Sequence, residues 1–180
     1  MTSFTENIQP IIEAIEVLNP KSVLDVGCGF GKYAILIREA LMSAKVRQGD
    51  LTPKDDLRID CAEIAQYFVN LPYLRAIYTG QYWRDVRELP SHTLKKYDLI
   101  LLIDVVEHWD KESALEFIRK AKENQNTRVL VSTPKKVLMY TEEYYGKDCL
   151  KHISQWETKD FERYVGKIEV QSEKSHIYII

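Results

Sequence analysis

The chain has 180 residues, of which 45% are hydrophobic and 29% charged, with a formal net charge of -2. This composition is typical of one globular domain, here residues 1–180, and without a Lys/Arg block it argues against a nucleic-acid partner. The opening MTSFTENIQP lacks a secretory signal, and the apolar run LILLI at 99–103 is too short to span a bilayer, so no membrane partner is expected.

The first part of the chain reads as helix, strand, helix. Isoleucine and leucine recur at helical spacing over residues 6–18, which predicts an amphipathic helix that ends before Pro20. SVLDV (22–26) predicts a short buried strand, followed by a helix over residues 31–42. The polar segment 43–56, with Gly and Pro, predicts a surface loop.

The middle of the chain repeats the alternation. LRIDCAE (57–63) predicts a strand, and a helical segment follows it to about Pro72. RAIYTG (75–80) predicts a further strand. The apolar run at 97–103 predicts a buried strand, which a helix over 111–122 follows.

The last part of the chain predicts a strand, a mixed segment and a hairpin. TRVLVSTP (127–134) is a buried strand, and residues 135–165 mix helix and loop. KIEVQSE (167–173) and SHIYII (175–180) flank a polar break, which predicts a closing hairpin. Strands that alternate with helices indicate an α/β fold with a parallel sheet, in which ligands bind beyond the carboxyl ends of the strands.

The stretch VLDVGCGFGKYA (23–34) places three glycines where a strand passes into a helix. Glycines at such a turn permit positive φ and let a ligand approach the backbone closely. The spacing G-x-G-x-G differs from the dinucleotide fingerprint G-x-G-x-x-G, which needs its third glycine at the position of Lys32. Asp25 would repel a pyrophosphate, so a cationic or zwitterionic ligand fits better, while a plain tight turn with a helix cap remains an alternative.

The motif D-V-G-C-G-F-G resembles the first motif of class I S-adenosylmethionine-dependent methyltransferases, and the resemblance covers roughly residues 10–180. It implies a Rossmann-like, doubly wound α/β fold: a mostly parallel seven-stranded sheet with an antiparallel C-terminal hairpin strand and helices on both faces. It also implies S-adenosyl-L-methionine as cofactor and S-adenosyl-L-homocysteine as product. The cofactor's amino-acid end would lie against Gly27, Cys28, Gly29 and Gly31, with Asp25 positioning its ammonium group.

The family's second landmark is an acid at the end of the second strand, which accepts the ribose hydroxyls. R-I-D-C-A-E-I offers Asp60 and Glu63, and the resemblance favours Glu63 because it comes at the end of the strand. The segment 43–56 makes the separation from the first motif longer than usual.

The third landmark is an acid followed by a hydrophobic residue, which binds the adenine amino group. Asp85 and Val86 match it in YWRDVREL. The alternative is that Asp85 pairs with Arg84 or Arg87 at the surface.

The fourth landmark, YDLILLIDVVEHWD, delivers Asp104 to the carboxyl edge of the sheet, with His108 in the loop that follows. Its form resembles small-molecule methyltransferases, including the ubiquinone-biosynthesis type, and Asp104 is assigned to the cofactor. His108 could act as a base or orient a substrate, or it could cap the next helix or pack under the cofactor.

The segment YTEEYYGKDCLKHISQW lies between the fifth strand and the final hairpin, where an acceptor would bind. Its H-x-S-x-W piece resembles a segment near the acceptor pocket of small-molecule and glycan-cluster methyltransferases. We expect Tyr140, Tyr144, Tyr145 and Trp156 to wall the acceptor pocket and His152 to be a candidate base. A lid that packs on the core for stability is the alternative for these aromatic residues.

The expected function is therefore methyl transfer to an oxygen or nitrogen of a small molecule. A catalytically inactive S-adenosylmethionine-binding module, acting as a partner subunit or sensor, is the alternative, and a nicotinamide-dependent oxidoreductase is disfavoured by the glycine spacing. Neither a nucleic-acid base methylation signature nor a metal-binding cluster is evident in the sequence. Three widely spaced cysteines, Cys28, Cys61 and Cys149, indicate reduced thiols in a cytoplasmic protein. The oligomeric state stays open, a homodimer included.

Overall fold

The computed structural model describes residues 4–50, 56–136, 151–164 and 167–180, which build one seven-stranded sheet. The strands are β1 (Ser22–Val26), β2 (Arg58–Ala62), β3 (Gly80–Tyr82), β4 (Leu99–Ile103), β5 (Arg128–Pro134), β6 (Ile168–Val170) and β7 (Ser175–Ile179). Their order across the sheet is β3-β2-β1-β4-β5-β7-β6. The first five strands pair in parallel, whereas β7 runs antiparallel to both β5 and β6. The predicted fold class, with its antiparallel C-terminal hairpin, is confirmed.

Helices of very different length connect the strands. They are α1 (Ile8–Leu18), α2 (Lys32–Arg47), α3 (Gln66–Val69), α4 (Leu74–Ile77), α5 (Ser91–Leu94), α6 (Lys111–Ala121) and α7 (Thr158–Phe161). Short 3-10 turns cover Thr5–Asn7, Val86–Glu88 and Val106–His108. Asn19, in a left-handed conformation with φ 44°, ends α1 as the sequence before Pro20 predicts. None of these helices is both long and apolar enough to cross a membrane.

The helices cover both faces of the sheet, and strand β4 shows why. All five residues of LILLI are buried, as expected for a central parallel strand that is covered on both sides. Leu99 and Leu101 join a hydrophobic cluster with residues of α1, α2 and α4. Ile100 and Leu102 point to the opposite face, where they join residues of α5, α6 and α7.

Two local predictions were wrong. Helix α2 continues to Arg47, five residues beyond the predicted end, and the Ala, Lys and Arg residues of this extension are good helix formers. In the last turn Lys45 pairs with Asp56 at 2.6 Å and Arg47 with Glu16 of α1 at 2.7 Å. RAIYTG does not form one strand. Its first residues belong to α4, and β3 starts only at Gly80.

The cause of the second error is packing against the glycine turn. Leu74 is completely buried and Tyr78 is 4% exposed. A Cβ built at Gly31 would meet Ile77 and Leu74 at 2.4 and 2.9 Å, so α4 lies directly on that turn. Tertiary contact therefore overrides the strand propensity of Ile77, while Tyr78 after it is already extended.

The topology places the strand ends that matter side by side. Strand β1 lies between β2 and β4. From β1 the chain first adds β2 and β3 on one side of the sheet and then β4 and β5 on the other, so the direction of strand addition reverses at β1. Val26, the last residue of β1, pairs with Ala62 of β2 and Leu102 of β4. The residues after these positions therefore surround one crevice at the switch point, where α/β sheets bind ligands.

Candidate functional site

A cleft of about 1010 Å³, part of it open to solvent, lies at this edge of the sheet. It is bounded by the glycine turn after β1 and by the residues that follow β2, β3 and β4. The predicted site residues that line it are Asp25, Gly27, Cys28, Gly29, Glu63, Asp85, Val86, Asp104 and His108. Residues that are far apart in sequence thus share one cavity.

The glycine turn has the backbone that its sequence predicts. Gly27, Gly29 and Gly31 have φ values of 65°, 52° and 76°, which side chains larger than glycine rarely adopt. The turn is anchored because Gly27 donates its N–H to the carbonyl of Ala62 at 2.8 Å. Gly31 does not line the cleft. Its missing side chain makes room for α4, and the contact of Gly31 with the ligand stays a prediction.

Asp25 is a buried acid beside the cleft. Its side chain is 3% exposed and accepts a hydrogen bond from the Tyr78 hydroxyl at 2.5 Å. Burial raises the pKa of Asp25 to about 7, with a smaller contribution from Glu63, while Tyr78 and Lys32 oppose the rise. A positively charged ligand would therefore favour the ionised form of this carboxyl group.

Glu63 and Asp60 lie on different sides of strand β2. Glu63 accepts hydrogen bonds from the backbone N–H groups of Gly29 (3.0 Å), Ile64 and Ala65 (both 2.8 Å). These bonds fix its carboxylate at the cleft and hold the glycine turn. Asp60 instead accepts from the Tyr97 hydroxyl at 2.6 Å on the opposite face and does not line the cleft.

Asp85 lies at the cleft and also makes the arginine pairing that the sequence offered as the alternative. It lines the cleft, and it also binds the Arg87 guanidinium with both carboxylate oxygens while accepting the Arg87 N–H at 2.9 Å. Burial pushes the pKa of Asp85 upward, but the hydrogen bonds from Arg87 hold it below its usual value. Val86, which is buried, and Arg84 line the cleft beside it.

Asp104 is held in an unusual backbone conformation at the end of β4. Its φ is 53°, and its N–H donates to the carbonyl of Ser132 at 2.8 Å. Burial raises the pKa of Asp104 to about 6 despite the opposing charge of Lys32. Within the described ranges its Oδ1 is buried without a hydrogen-bond partner. Strain and an unmet acceptor at one residue are frequent at functional positions.

The rings of His108 and His152, both predicted as candidate catalytic residues, lie beside each other. Their ring centroids lie 4.8 Å apart, and His108 lines the cleft. Burial lowers the pKa of His108 to about 4, which the hydrogen bond to the Lys151 carbonyl only partly opposes. The imidazole of His108 is thus neutral at pH 7 and a weak proton acceptor.

Glu107 belongs to the fourth landmark, DVVEHWD, but no role was predicted for it from the sequence. One carboxylate oxygen of Glu107 and one ring nitrogen from each of His108 and His152 lie within 4.8 Å of one another. The E-H pair in DVVEHWD was visible in the sequence, but nothing there indicated that His152 would join it. The expectation of no metal-binding cluster overlooked this group.

The predicted acceptor wall is placed only in part. Trp156 is completely buried in the hydrophobic core, packs on Phe161 and donates its indole N–H to Ser154 at 3.0 Å. It does not line the cleft, so the prediction that it walls the acceptor pocket is not supported by its position. Tyr140, Tyr144 and Tyr145, like Cys149, lie outside the described residues.

The two described cysteines are free and buried. Cys28 lines the cleft, and the pKa of its thiol is raised by a hydrogen bond with Cys61 and by burial. A thiol with a raised pKa is a poor nucleophile, so Cys28 contributes shape rather than chemistry to the cleft.

Three solved structures that are similar to this chain are named as methyltransferases, at low sequence identity. The methyltransferase domain of bacterial-CtHen1-C is 16% identical, with a TM-score of 0.64, over 97% of this chain and 95% of that one. Magnesium protoporphyrin IX methyltransferase from Synechocystis PCC 6803 with bound SAH is 16% identical, with a TM-score of 0.61, over 96% and 80%. The mitomycin 7-O-methyltransferase MmcR is 15% identical, with a TM-score of 0.61, over 96% and 52%.

The family comparison is more direct than these structural likenesses. No curated protein sequence matches the chain. The profile of the family Methyltransf_23, described as a methyltransferase domain, matches residues 4–170, which include the glycine turn, all the lining acids and both histidines. The chain therefore belongs to this family of methyltransferase domains.

Proposed function

We propose that the protein transfers a methyl group from S-adenosyl-L-methionine to an oxygen or nitrogen of a small-molecule acceptor, leaving S-adenosyl-L-homocysteine. The observation that carries the proposal is the meeting of a glycine turn with the carboxyl groups of Asp25, Glu63 and Asp85 in one cleft. Magnesium protoporphyrin IX methyltransferase, which has the same fold, was crystallised with bound SAH and with bound SAM.

The charges of the cleft suit a cationic or zwitterionic cofactor. Four acids line it, namely Asp25, Glu63, Asp85 and Asp104, together with the basic residues Lys32 and Arg84. Asp85 is already neutralised by Arg87, whereas burial raises the pKa of Asp25 and of Asp104. A ligand with an ammonium and a sulfonium group would lower the cost of ionising these two acids, whereas the pyrophosphate of a nicotinamide cofactor would raise it.

Three chain segments would hold the cofactor at different points. The glycine turn leaves room for its amino-acid end, with Asp25 toward the ammonium group. Glu63 uses three acceptor positions on backbone N–H groups, and a carboxylate offers about four, so one remains for a ribose hydroxyl. Asp85 and Val86 would receive the adenine at the far side.

When bound, S-adenosylmethionine supplies a methyl group that is already activated by the positively charged sulfur. The remaining task of the chain is alignment of the acceptor and exclusion of water. Phe30, Ile103, Val105 and Trp109 give the cleft an apolar lining that serves the second purpose. His108, which lines the cleft after β4, and His152, whose ring lies 4.8 Å from it, are the candidates for receiving a proton from the acceptor.

The choice of a small-molecule acceptor rests on comparison. Magnesium protoporphyrin IX methyltransferase and mitomycin 7-O-methyltransferase share the fold, and their names specify small-molecule acceptors. The mild net negative charge of the chain also gives no support for a polyanionic acceptor. The two buried free thiols fit the proposal of a cytoplasmic enzyme.

Calorimetry and turnover separate the alternatives. We expect S-adenosylmethionine and S-adenosylhomocysteine to bind and NAD not to bind. Incubation with pooled small-molecule acceptors should then yield S-adenosylhomocysteine. Binding of NAD alone would overturn the proposal, and cofactor binding with no turnover across broad acceptor pools would favour the inactive module.

A further inference from the structure

The 3-10 turn Val106–His108 and the segment 151–154 bring three metal-ligating side chains together beside the cleft. A carboxylate oxygen of Glu107 and ring nitrogens of His108 and His152 all lie within 4.8 Å of one another. We propose that Glu107, His108 and His152 bind a divalent transition-metal ion.

Glu107 gives the strongest reason for the proposal. Its side chain is 0% exposed, and neither carboxylate oxygen has a hydrogen-bond partner within the described part of the chain. The buried hydroxyl of Thr133 likewise has no hydrogen-bond partner among the described residues. An unsatisfied buried carboxyl group costs folding free energy, so a cation at this place would supply the missing partner.

The tautomer of His108 is the one that a metal ligand requires. Its Nδ1 lies 3.1 Å from the backbone carbonyl of Lys151, which can only accept a hydrogen bond. The proton is therefore on Nδ1, and the lone pair is on Nε2. Histidine ligands of metals almost always donate their second N–H to a carbonyl or carboxylate in this way.

The segment that carries His152 is fastened to the same turn. Ile153 and Ser154 both donate their backbone N–H to the Glu107 carbonyl, at 2.8 and 3.1 Å. The Ser154 hydroxyl donates to the carbonyl of Val106 at 3.1 Å. His152, which is 7% exposed, is thus held beside the other two side chains by backbone contacts.

The spacing and the donor atoms indicate the kind of ion. In a tetrahedral zinc site with bonds of about 2.1 Å, the ligand atoms lie about 3.4 Å from one another. The ligand atoms of the three side chains lie within 4.8 Å of one another, so these distances need to shorten by at most about 1.4 Å. Rotation of two imidazole rings and one carboxylate can provide that change. Two imidazoles and one carboxylate favour zinc, iron or manganese over magnesium or calcium.

An ion at this position would change the chemistry expected of the histidines. Their ligating nitrogens could not accept a proton from the acceptor, and His108 lines the cleft, so the ion would face the acceptor. A bound divalent cation lowers the pKa of a coordinated hydroxyl, which points to a hydroxyl compound as acceptor. This consequence rests on the proposed methyl transfer, whereas metal binding itself does not.

The first test is metal binding by the full-length protein after removal of metals with a chelator. We expect calorimetry to give one ion per chain, with zinc bound more tightly than manganese and manganese more tightly than magnesium. Cobalt should give the visible absorption of a nitrogen-ligated ion. A folded protein that binds none of these ions, or that prefers magnesium, would overturn the proposal.

The second test uses Glu107→Gln and His152→Gln, with His92→Gln on the exposed side of α5 as the matched control. Each of the first two should weaken zinc binding by at least about tenfold, the range seen when even outer partners of metal ligands are lost. The control should bind as the wild type does, and equal weakening in all three would mean adventitious histidine binding.

Measuring S-adenosylmethionine affinity and circular dichroism in parallel keeps the two proposals apart. Glu107 does not line the cleft, so Glu107→Gln should retain cofactor affinity within about twofold while losing the metal. Wild type that binds the metal but no S-adenosylmethionine would sink the proposed function alone. If a variant does not fold, the cobalt spectrum of the wild type still decides the metal proposal.

Discussion

The phenolic O–H of Tyr78 donates to the carboxylate of Asp25 over 2.5 Å, and both groups are buried at the base of the glycine turn. We expect Tyr78→Phe to lower the free energy of unfolding by about 1–3 kcal/mol, because a buried charged acceptor loses its donor. The same change raises the pKa of Asp25 further, so S-adenosylmethionine should bind more weakly at pH 7. Urea unfolding and calorimetry measure the two effects.

A matched control is Tyr82→Phe. The Tyr82 hydroxyl bonds to that of Tyr97 at 3.1 Å, and neither residue lines the cleft. This variant should lose stability without losing cofactor affinity. If the two variants affected binding equally, the contact between Tyr78 and Asp25 would have no special part in cofactor binding.

Cofactor affinity should depend on pH through Asp25. Because the pKa of this carboxyl group is raised to about 7 in the free protein, half of the molecules carry it protonated at that pH. A cationic ligand favours the ionised form, so affinity should rise with pH up to about 7, by at most about tenfold per pH unit, and then level off. Titration calorimetry from pH 5 to 9 gives the profile.

The variant Asp25→Asn isolates this effect from that of Asp104, whose pKa is raised to about 6. This variant should bind S-adenosylmethionine more weakly than the wild type at pH 8. Its affinity should also lack the change with pH that the wild type shows near pH 7. Stability has the opposite dependence. A carboxyl group with a raised folded-state pKa lowers the free energy of unfolding progressively as pH rises from about 4 to 7. In Asp25→Asn this part of the decrease should be absent. Identical pH profiles for wild type and variant would refute the role of Asp25.

Glycine at position 29 is predicted to serve the ligand rather than the fold. A Cβ at Gly29 would find only the Gly27 carbonyl oxygen, at 4.0 Å, and the residue lines the cleft. Gly29→Ala should therefore cost only the strain of a left-handed backbone, about 1–2 kcal/mol, while the methyl group obstructs the cofactor. We expect a loss of S-adenosylmethionine affinity of tenfold or more, measured by calorimetry on folded protein.

Gly49→Ala is the control for backbone strain alone. Gly49 also has positive φ, at 96°, with nothing within 4 Å of a built Cβ, and it does not line the cleft. It should lose similar stability and keep full affinity. Gly31→Ala should unfold most readily of the three, since its Cβ would lie 2.4 Å from Ile77. Normal binding by Gly29→Ala would mean that the cofactor does not approach this turn.

The sequence predicted the cleft because its acids follow strands whose order the fold dictates. Asp25, Glu63 and Asp104 lie within or just after apolar runs, and parallel strands bring their carboxyl ends to one edge. Local patterns could not reveal contacts made through loops. Glu107 meets His152 only because the segment 151–154 bonds to the preceding turn, and no periodicity encodes that pairing.

The sequence pattern also could not predict which aromatic residues are buried. Trp156 in H-x-S-x-W looks the same in sequence whether it walls a pocket or fills a core. It is buried because the indole packs against Phe161 and its N–H finds the Ser154 hydroxyl.

The choice between Glu63 and Asp60 as the ribose acid can be decided by neutral, nearly isosteric variants. Glu63→Gln replaces one acceptor oxygen by an NH2 group. Because backbone N–H groups donate to Glu63, the new donor would face another donor, and the free energy of unfolding should fall by about 1–3 kcal/mol. It also removes the acceptor for the ribose hydroxyls, so cofactor affinity should fall by tenfold or more. Asp60→Asn disturbs contacts with Arg58 and Tyr97 instead, and should lower stability with affinity unchanged.

Adenosine, which carries the ribose without the amino-acid end, is the probe that localises the effect. If Asp60→Asn weakened adenosine binding more than Glu63→Gln did, the ribose would lie at the other acid and the assignment of Glu63 would be wrong.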